Sequence, residues 1–573
     1  MRTGFCPSCG SMIFPSMDRC SACGRPMDGS VTDWKPIQKS AGPAIIEEEN
    51  RDAPYLPYKP RETQIDIIAD IRSALNRGKH IVIESGTGTG KTITSLAGSL
   101  EHAEAHGKKI IYITRTISQS DQVMKELKAI STLKPVSGIT LTGRNKSCPL
   151  LQARADFDKL SPTALSTLCS DRKQKSQQGR PGGCPYFEKV PHLIEIIEDY
   201  CKKQFPRSDE IDAYCKARSV CPYEIKKAMM KDFDVIVAPY IHIIDPDIRE
   251  NFFSALDVEE KDVVLIVDEA HNLMDAVRSQ ESFTISTRLI NSAADECQAF
   301  NKPEVADRVT LDDFMKAFKS AVRELGSKKI GFNMKEALLE PNALEDILIR
   351  LLGLSLEMLN AVAERLVELG EKREEAIADT DAPSSPMLEF ATLVRAWIKS
   401  PADRYVKSIK VNEEGEFPRA SCIDPVVICG FMNALPGAVH MSGTLQPLDN
   451  YAKVLGLPNT AIPRTYPSPF PKDNKLVVYT KDMTMNYQEL QANPSMKTKI
   501  QKMIAQLCNA VDKNILVFMP SYRVMKEFRP YLEQNVFKNL YWEVAGRQKE
   551  TMKNLDDFRR GRSGVFVCVM GGS

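Results

Sequence analysis

The sequence predicts an α/β protein with two parallel-sheet domains, of which the first is interrupted by two insertions. In "HIVIESGTGTGKTITSL", a β-branched strand runs into a glycine-rich loop and then into a helix. In "DVVLIVDEAHNL", a hydrophobic run typical of a buried parallel strand ends in two acids. About 150 residues separate this strand from the earlier strand "KKIIYITRT", whereas a βαβ unit needs only a few dozen. The excess predicts an inserted domain.

The composition is that of an ordinary globular protein. Of the 573 residues, 43% are hydrophobic and 26% are charged, and the net charge is +1. No apolar run is long enough to cross a bilayer and no secretory leader follows Met1, so we expect a cytoplasmic protein whose thiols stay reduced. The 15 cysteines are then expected to be metal ligands or core residues rather than disulfides. Any contact with nucleic acid must come from local basic patches.

The first 27 residues carry two CxxC pairs, "CPSCG" and "CSACG". Paired cysteines followed by glycine are typical of tetrahedral zinc sites, because each turn presents two sulfurs and lets backbone amides approach them. The sequence therefore predicts a Zn²⁺-binding ribbon over residues 1–27, against the alternative of incidental cysteines in a disordered tail. Its ligands would be Cys6, Cys9, Cys20 and Cys23. Residues 28–54, with several prolines and the acidic run Glu47–Glu49, are predicted to form a linker.

The glycine-rich loop has the composition of a phosphate-binding loop. The backbone N–H groups of such a loop, and of the helix that follows it, face the phosphates of a nucleotide. Lys91 can reach the β- and γ-phosphates of ATP, and the hydroxyl of Thr92 can hold Mg²⁺. Ser85 replaces the usual first glycine, but the strand–loop–helix context favours the assignment over a fortuitous match. The predicted nucleotide-binding residues of the loop are Ser85, Gly86, Thr87, Gly88, Thr89, Gly90, Lys91 and Thr92.

Polar residues also follow two later strands at their carboxyl ends. Arg115 follows one strand, and the sequence DEAH follows the other. There Asp268 can bind the Mg²⁺ held by Thr92, and Glu269 can polarise a water for attack on the γ-phosphate. The alternative, an ordinary strand end with exposed acids, is disfavoured by the phosphate loop upstream. The predicted catalytic residues are Lys91, Asp268, Glu269 and His271.

The phosphate loop together with DEAH resembles the superfamily 2 helicases. In "HMSGTLQP", Ser442, Gly443 and Thr444 match the motif that links ATP hydrolysis to domain movement in those proteins. In "RETQ", Gln64 lies where the resemblance implies a glutamine that contacts adenine. The resemblance further implies two RecA-like motor domains.

Spacing predicts the domain boundaries. The first motor domain is expected over residues 55–445, with one insertion at 144–230 and a second at 275–430. The second insertion is helix-patterned, with hydrophobic residues at three- and four-residue steps that predict core packing. Three apolar stretches, "NKLVVY", "NILVFMPSY" and "GVFVCVM", predict strands of a second, incomplete motor domain over residues 446–573.

The first insertion contains four cysteines that are too far apart to form a zinc knuckle. They are Cys148, Cys169, Cys184 and Cys221. Proline directly follows three of them and bends the chain away from the sulfur, as ligands of an iron–sulfur cluster often require. From spacing alone, an iron–sulfur cluster, zinc and free thiols all remain open.

An irregular cysteine quartet between the phosphate loop and DEAH, followed by a helical arch, resembles the XPD family of iron–sulfur DNA helicases, with DinG-type enzymes as relatives. The resemblance runs from about residue 55 to the end of the chain and includes "APYIHIIDP" and "YPSPF". It implies that the quartet binds a 4Fe–4S cluster. Cys201 and Cys215 lie in a charged, helical stretch that does not match the motif, so we predict that they are not ligands.

The resemblance also implies that the cluster domain and the arch leave a hole for single-stranded DNA. From Arg144 to Asp232 there are 17 lysines and arginines against 12 acids, a net charge of +5. Aromatic residues among cations suit base stacking and phosphate tracking, although the same rings can simply pack against the cluster. Arg144 is also a candidate partner of the cluster itself. The candidate DNA-binding residues are Arg115, Arg144, Tyr186, Phe187 and Tyr223.

We therefore predict an ATP-dependent DNA helicase that moves along single-stranded DNA, with the 5′→3′ polarity that the resemblance implies. The cluster domain would act as a wedge at the strand junction. The expected partners are single-stranded DNA and forked duplex DNA, and we expect a monomer that does not bind membranes. The main alternative is a nucleotide-gated DNA clamp or translocase that does not unwind. A phosphate-loop ATPase acting on RNA or protein is disfavoured by the cysteine quartet.

The sequence ends at Ser573, before the arginine-bearing motif that the resemblance implies for the second motor domain. Such an arginine places positive charge against the γ-phosphate and can be worth on the order of 10³-fold in rate. We therefore expect residues 1–573 alone to bind ATP and single-stranded DNA, but to hydrolyse little ATP and not to unwind a fork.

Overall fold

The structure of the chain is a computed structural model. It describes residues 4–5, 12–13, 52–153, 162–377, 385–471, 473 and 476–570. The ligands predicted for the zinc ribbon, Cys6, Cys9, Cys20 and Cys23, lie outside the described residues. The zinc ribbon therefore stays a prediction from the sequence.

Strands and helices alternate in the first part of the chain. Its strands are β1 (Gly4–Phe5), β2 (Met12–Ile13), β3 (Ile81–Ser85), β4 (Lys109–Thr114) and β5 (Gly138–Thr140). Its helices are α1 (Gln64–Asn76), α2 (Lys91–His106) and α3 (Ile117–Ile130). The chain turns into α3 directly after β4 because Thr116 and Gln119 form a capping box, in which each side chain accepts a hydrogen bond from the other residue's backbone N–H.

The described residues of the first insertion form helices joined by turns, without a strand. Its helices are α4 (Arg144–Ser147), α5 (Pro149–Gln152), α6 (Pro162–Gln177), α7 (Val190–Gln204), α8 (Ser208–Ala217) and α9 (Pro222–Met229). Proline stands in the first turn of α5, α7 and α9, where its missing N–H costs no hydrogen bond and its fixed φ angle suits the helix. The prolines after Cys148 and Cys221 therefore start helices directly behind the sulfurs.

The chain then returns to the sheet and leaves it again for the second insertion. The returning elements are β6 (Val235–Pro239), α10 (Ile241–Ile244), α11 (Pro246–Leu256), β7 (Val263–Val267) and α12 (Leu273–Glu281). The strands of the insertion are β8 (Phe283–Thr284), β9 (Glu304–Ala306), β10 (Val309–Thr310), β11 (Glu336–Leu338), β12 (Tyr405–Asn412) and β13 (Gly415–Cys422). Its helices are α13 (Thr287–Glu296), α14 (Leu311–Lys329), α15 (Ala343–Leu352), α16 (Leu356–Ile377) and α17 (Pro386–Lys399).

The second insertion is more than the helical domain that the sequence predicts. An antiparallel sheet in the order β11-β12-β13-β8 packs with its helices. Asn412 and Gly415 are the last paired residues of β12 and β13 before the turn of this hairpin. Gly415 has φ +125°, a conformation that residues with side chains rarely adopt. The sequence "VNEEGEF" carries this turn, and the prediction missed it because only the helical period was counted.

The central sheet of the first unit has seven parallel strands. The chain re-enters it through α18 (Val426–Cys429), β14 (Ala438–Ser442), α19 (Leu448–Val454) and β15 (Ile462–Tyr466). The strand order is β15-β3-β14-β7-β4-β6-β5, so β14 lies between β3 and β7. Buried hydrophobic clusters cover both faces, as a parallel sheet requires. The arrangement brings the carboxyl ends of β3, β14 and β7 side by side, which confirms the predicted α/β class.

The first compact unit ends at Phe470 rather than at the predicted residue 445. The reason is β15, which pairs with β3 and so belongs to the first sheet. The second unit consists of α20 (Tyr487–Ala492), α21 (Pro494–Ala510), β16 (Ile515–Met519), α22 (Tyr522–Asn535), β17 (Asn539–Trp542), α23 (Gln548–Arg560) and β18 (Gly564–Val569). Its parallel strands lie in the order β16-β18-β17.

One predicted strand of the second unit is absent from its sheet. The described residues of "NKLVVY", from Leu476 to Tyr479, are exposed and form no strand. A strand needs a neighbouring backbone to satisfy its N–H and C=O groups, and this stretch pairs with none among the described residues. Among all the residues that the structure describes, no helix is both long enough and apolar enough to span a membrane.

Candidate nucleotide site and cysteine quartet

The phosphate loop joins β3 to α2, as the sequence predicts. Gly88 and Gly90 have φ angles of +93° and +81°, which only glycine adopts readily. Lys91 is the first residue of α2, so the N–H groups that the helix cannot pair internally face the loop. This geometry is suited to binding the phosphates of a nucleotide.

Ser85 replaces the usual first glycine without distorting the loop. It is the buried last residue of β3 and has no positive φ angle. Its hydroxyl donates to the hydroxyl of Thr89 at 2.6 Å, and Thr89 donates in turn to the carbonyl of Gly86 at 2.9 Å. The serine thus ties the two ends of the loop together.

Gln64 lies against the backbone of the loop. Its amide nitrogen donates to the carbonyl of Thr89 at 2.9 Å, and its amide oxygen accepts the backbone N–H of Arg61 at 3.0 Å. The guanidinium of Arg61 donates to the carbonyl of Gly88 at 2.6 Å. A Cβ atom at Gly90 would lie 2.5 Å from the Gln64 amide, so this position requires glycine. Gln64 therefore supports the loop, and its contact with adenine stays a prediction.

A segment after β15 covers the other side of the loop. The hydroxyl of Ser468 donates to the carbonyl of Thr87 at 2.8 Å. A Cβ at Gly86 would lie 2.7 Å from the backbone of Ser468, and one at Gly88 would lie 2.5 Å from the ring of Phe470. We did not predict these contacts. The only sequence signal was "YPSPF", which carried the family resemblance but no position in the fold.

The DEAH residues turn sharply at the end of β7. Glu269 has φ +46°, and its N–H donates to Oδ1 of Asp268 at 2.9 Å. The hydroxyl of Tyr240, another residue that the sequence did not indicate, donates to the backbone carbonyls of both acids. Burial and the charge of Glu269 raise the pKa of Asp268 to about 6, and Lys91 opposes the rise.

The phosphate loop and "SGT" lie side by side, because a Cβ at Gly443 would lie 3.5 Å from Nζ of Lys91.

Hydrogen bonds connect DEAH to "SGT" on the neighbouring strand. Nδ1 of His271 lies 2.6 Å from the hydroxyl of Ser442. The Ser442 hydroxyl also lies 3.3 Å from Oε2 of Glu269, which is 3.4 Å from the His271 ring. The backbone N–H of Thr444 donates to the same hydroxyl at 3.2 Å. The structure thus brings together the predicted catalytic and coupling residues.

The quartet cysteines come from four separate segments. Cys148 and Cys221 precede the helices α5 and α9, and the first backbone N–H groups of each helix lower the pKa of the thiol in front of it against the effect of burial. Cys184 lies in a turn, where its own N–H donates to the hydroxyl of Ser176 at 2.7 Å. Cys169 lies within α6. The helix N–H groups favour the thiolate at two of the four positions, although burial outweighs them and raises both pKa values.

The quartet thiols influence one another's ionisation. Burial raises the pKa of Cys148, of Cys169 and of Cys221, the last to about 12. The charge of Cys184 adds to the rise at Cys148, and Cys148 adds to the rise at Cys169 and Cys221. The four segments therefore bring their sulfurs into one neighbourhood, where anions repel unless a cationic centre lies among them.

In the part of the chain that the structure describes, no metal site is assembled at the quartet, so its cluster stays a prediction. Among the described residues, no group of three or more His, Cys, Asp or Glu side chains lies close enough to hold a metal ion. A four-iron cluster binds each thiolate through a different iron, so its ligands stand farther apart than those of one ion. Cys201 and Cys215 are fully buried in the hydrophobic core, and burial raises the pKa of each to about 12.

Cations cover two of the aromatic rings beside the quartet. The guanidinium of Arg144 lies 4.8 Å from the centre of the Tyr223 ring, and Nζ of Lys173 lies 5.7 Å from that of Phe187. Both cations also face Glu224, at 4.0 Å and 2.9 Å. The two rings thus have cationic partners within the insertion, and their stacking on bases stays a prediction.

Two further DNA candidates have partners within the chain. The carbonyl of Tyr186 accepts the N–H of Cys221 at 2.9 Å, which ties two quartet segments together. The guanidinium of Arg115 donates to the side chain of Asn272, immediately after DEAH. Their contacts with DNA stay predictions.

A basic cleft lies between the first insertion and the central sheet. Its volume is about 590 Å³. Four cations line it, and none of its lining residues is acidic, as far as the chain is described. They are Arg144, Lys173, Lys226 and Lys227. A cleft of this charge suits a phosphate backbone.

Three family models match consecutive parts of the chain. The DEAD_2 model matches residues 112–290, which include the cysteine quartet and DEAH. The model of the Helical and beta-bridge domain matches residues 293–489, which include most of the second insertion. The model of the Helicase C-terminal domain matches residues 504–573.

Relatives match over most of the chain. The general transcription and DNA repair factor IIH helicase subunit XPD/RAD3 of Saccharomyces cerevisiae is 23% identical, over 91% of this chain and 77% of its own length. The regulator of telomere elongation helicase 1 homolog of Arabidopsis thaliana is 24% identical, over 90% of this chain and 54% of its own length. A solved XPD helicase superposes with a TM-score of 0.52 and 18% identity, over 90% of this chain and 81% of that one, which shows a shared fold.

Proposed function

The chain belongs to the XPD-type family of superfamily 2 DNA helicases, and from this premise we propose that it moves along single-stranded DNA in the 5′→3′ direction and opens duplexes at a fork. The family rests on three matching models in consecutive order and on relatives that align over nine-tenths of the chain. As a member of that family, the chain is an ATP-dependent DNA helicase.

The observation that carries the proposal is the adjacency of β3, β14 and β7. It places Lys91, Asp268 and Ser442 at the carboxyl edge of one parallel sheet, where nucleotides bind in open α/β folds. The Lys91 ammonium would contact the β- and γ-phosphates, and Glu269 would accept a proton from the attacking water. Thr92 and Asp268 would hold Mg²⁺, which supplies positive charge at the phosphates when it is bound.

Ser442 would report the state of the nucleotide to the rest of the motor. Its hydroxyl contacts both His271 and the proposed base Glu269, so a change at the γ-phosphate reaches β14 through hydrogen bonds. This is the role that "SGT" has in the resemblance. The contacts support it because they join two strands whose ends would face the same phosphate.

We also propose that Cys148, Cys169, Cys184 and Cys221 hold a 4Fe–4S cluster. The shared neighbourhood of the four sulfurs and the two helix N-termini behind them support this ligand set. A bound cluster cross-links four segments of the insertion. That rigidity is what a wedge at a strand junction needs. Arg144, Lys173 and Lys227 of the adjoining cleft would contact the phosphates of the tracking strand. Lys226, in contrast, is buried against Asp212.

Tailed duplexes test the proposal. In the natural protein, including any residues that follow Ser573, ATP-dependent unwinding is expected on a duplex with a 5′ single-stranded tail and not on one with a 3′ tail. Lys91→Ala should abolish it. Unwinding of the 3′-tailed duplex alone would contradict the polarity. ATP hydrolysis stimulated by single-stranded DNA, with neither duplex opened, would favour the clamp or translocase instead.

A further inference from the structure

Tyr112 occupies the middle of β4, at the centre of the seven-stranded sheet. It pairs with Ile266 of β7 on one side and with Val237 of β6 on the other. Its side chain is fully buried in the hydrophobic cluster that includes residues of α2. Paired residues of parallel strands share a face, as do residues two apart along one strand. Tyr112 therefore lies on the same face as Asp268, two residues beyond Ile266.

The hydroxyl of Tyr112 is a buried polar group without a hydrogen bond. Its oxygen has no hydrogen-bond partner among the described residues. Its polar neighbours are Thr92, Ser95 and Asp268, which approach the hydroxyl but make no hydrogen bond of normal geometry with it. Burying an unpaired hydroxyl costs free energy, and phenylalanine would fill the same space without that cost. Packing alone therefore does not account for tyrosine here.

The carboxylate of Asp268 is the strongest acceptor near the hydroxyl, because the hydroxyls of Thr92 and Ser95 carry no charge. The hydroxyl of Ser95 donates to the carbonyl of Thr92 at 3.0 Å. Oδ1 of Asp268 accepts the N–H of Glu269 at 2.9 Å, while no hydrogen bond among the described residues fixes the other carboxylate oxygen. A phenol donates well to a carboxylate, and an ionised partner makes the bond stronger. The hydroxyl thus faces the two residues proposed to hold Mg²⁺.

We propose that Tyr112 is a positioning residue for the Mg²⁺–nucleotide site. Its hydroxyl donates to the carboxylate of Asp268 and fixes that carboxylate opposite the hydroxyl of Thr92. A ligand whose orientation is fixed by a hydrogen bond from outside the metal's own shell binds its ion more tightly. Tyr112 touches neither the nucleotide nor the ion. This inference rests on the proposed function, because it presupposes an ATP site at the edge of the sheet.

Tyr112→Phe tests the inference in the full chain. Binding of a fluorescent ADP analogue is followed while Mg²⁺ is titrated, and Mn²⁺ bound at saturating ADP is measured by electron paramagnetic resonance. We expect the variant to need about 10-fold more of either ion for half-saturation. Its affinity for the nucleotide without metal should not change, because Lys91 and the loop amides are intact. Neither readout requires hydrolysis.

Tyr55→Phe is the matched control. Tyr55 is also buried, and its hydroxyl donates to Glu104 at 2.6 Å, near the far end of α2 from Lys91. We expect this variant to keep the ion requirement of the unchanged chain, and both variants to fold, as checked by thermal unfolding. Equal ion requirements in Tyr112→Phe and the unchanged chain would overturn the positioning role. Failure of the unchanged chain to bind nucleotide would instead overturn the proposed ATP site.

Discussion

At the carboxyl edge of the central sheet, some residues are placed to bind the nucleotide and others to take part in its hydrolysis. Lys91 starts α2 and lies beside Gly443, so its ammonium is placed to face phosphate oxygens. Glu269 is held in a left-handed turn at the end of β7 and hydrogen-bonds to Ser442. Strain at such a position persists only where the surroundings enforce it. The two side chains should therefore respond differently to substitution.

Lys91→Ala and Glu269→Gln separate the two roles. Lys91→Ala removes a charge-assisted contact and should weaken ATP binding by about 10-fold or more. Glu269→Gln keeps the shape of the side chain and should leave ATP binding intact, while hydrolysis falls on the order of 10²-fold because the proton acceptor is lost. Nucleotide titration and single-turnover hydrolysis check both, in the natural protein with any residues that follow Ser573. Normal turnover in Glu269→Gln would remove Glu269 from the chemistry.

A buried histidine gives the first motor domain a pH dependence. Nδ1 of His102 in α2 lies 2.6 Å from Oδ1 of Asn76. Burial lowers the pKa of His102 to about 4, and His106 and Lys108 add to the effect. An unfolded histidine has a pKa of about 6.5. The stability that neutral His102 contributes is therefore complete above about pH 6.5 and is lost as the pH falls towards 4.

His102→Gln keeps a hydrogen-bond donor for Asn76 but cannot be protonated. We expect the midpoint of thermal unfolding to fall less between neutral pH and pH 5 in this variant than in the unchanged chain. His192→Gln, at an exposed position of α7, is the control and should leave the pH dependence as it is. Parallel pH profiles for His102→Gln and the unchanged chain would show that another group governs the acid sensitivity.

At the scale of elements, a buried charged network joins α8 to α9 within the first insertion. Nζ of Lys226 in α9 lies 2.7 Å from Asp212 in α8, 2.9 Å from Ser208 and 3.1 Å from Thr142. The hydroxyl of Ser147, directly before Cys148, donates to Asp212 at 3.1 Å. The network thus connects the segments of two quartet cysteines with the end of β5. Removing one partner of a buried ion pair leaves an uncompensated charge.

Lys226→Met should destabilise the first insertion by about 3–5 kcal/mol. The expected readout is earlier unfolding in urea, followed by an optical probe placed in the insertion. Lys227→Met, which alters the neighbouring lysine, is the control and should change stability by no more than about 0.5 kcal/mol. The double variant Lys226→Met/Asp212→Leu should recover part of the loss because no charge stays buried. Wild-type stability in Lys226→Met would mean that the pair does not hold the helices.

Short motifs in the sequence predicted the elements of the site. Contacts between residues that are distant in the sequence could not be predicted from it. The phosphate loop, DEAH and "SGT" each lie within a few consecutive residues, and the structure brings them together. The pairing of β15 with β3 depends on residues almost 400 positions apart, so the predicted boundary at 445 was wrong. Tyr112 likewise read as one more apolar strand residue, because its polar neighbours come from other segments.

At the scale of the whole molecule, the first unit is one parallel sheet into which two domains are inserted. The first insertion leaves the sheet after β5 and returns at β6, and the second leaves after α12 and returns before β14. Both insertions begin and end at the sheet that carries the proposed nucleotide site. The insertions can therefore vary while the order of β3, β14 and β7 is kept. The 4Fe–4S cluster that we propose for the cysteine quartet would give the first insertion a chemistry of its own.

The central claim is that the cysteine quartet binds a 4Fe–4S cluster. The metal content of the anaerobically purified chain tests this claim most directly. The account predicts about four irons per chain, with a visible absorption band of a 4Fe–4S cluster, and about one zinc held by the four N-terminal cysteines. Cys184→Ser should lose the iron and the band and keep the zinc. Cys201→Ser, which changes a core cysteine, should keep both metals. Two zincs and no iron in the unchanged chain, or full iron in Cys184→Ser, would contradict the account.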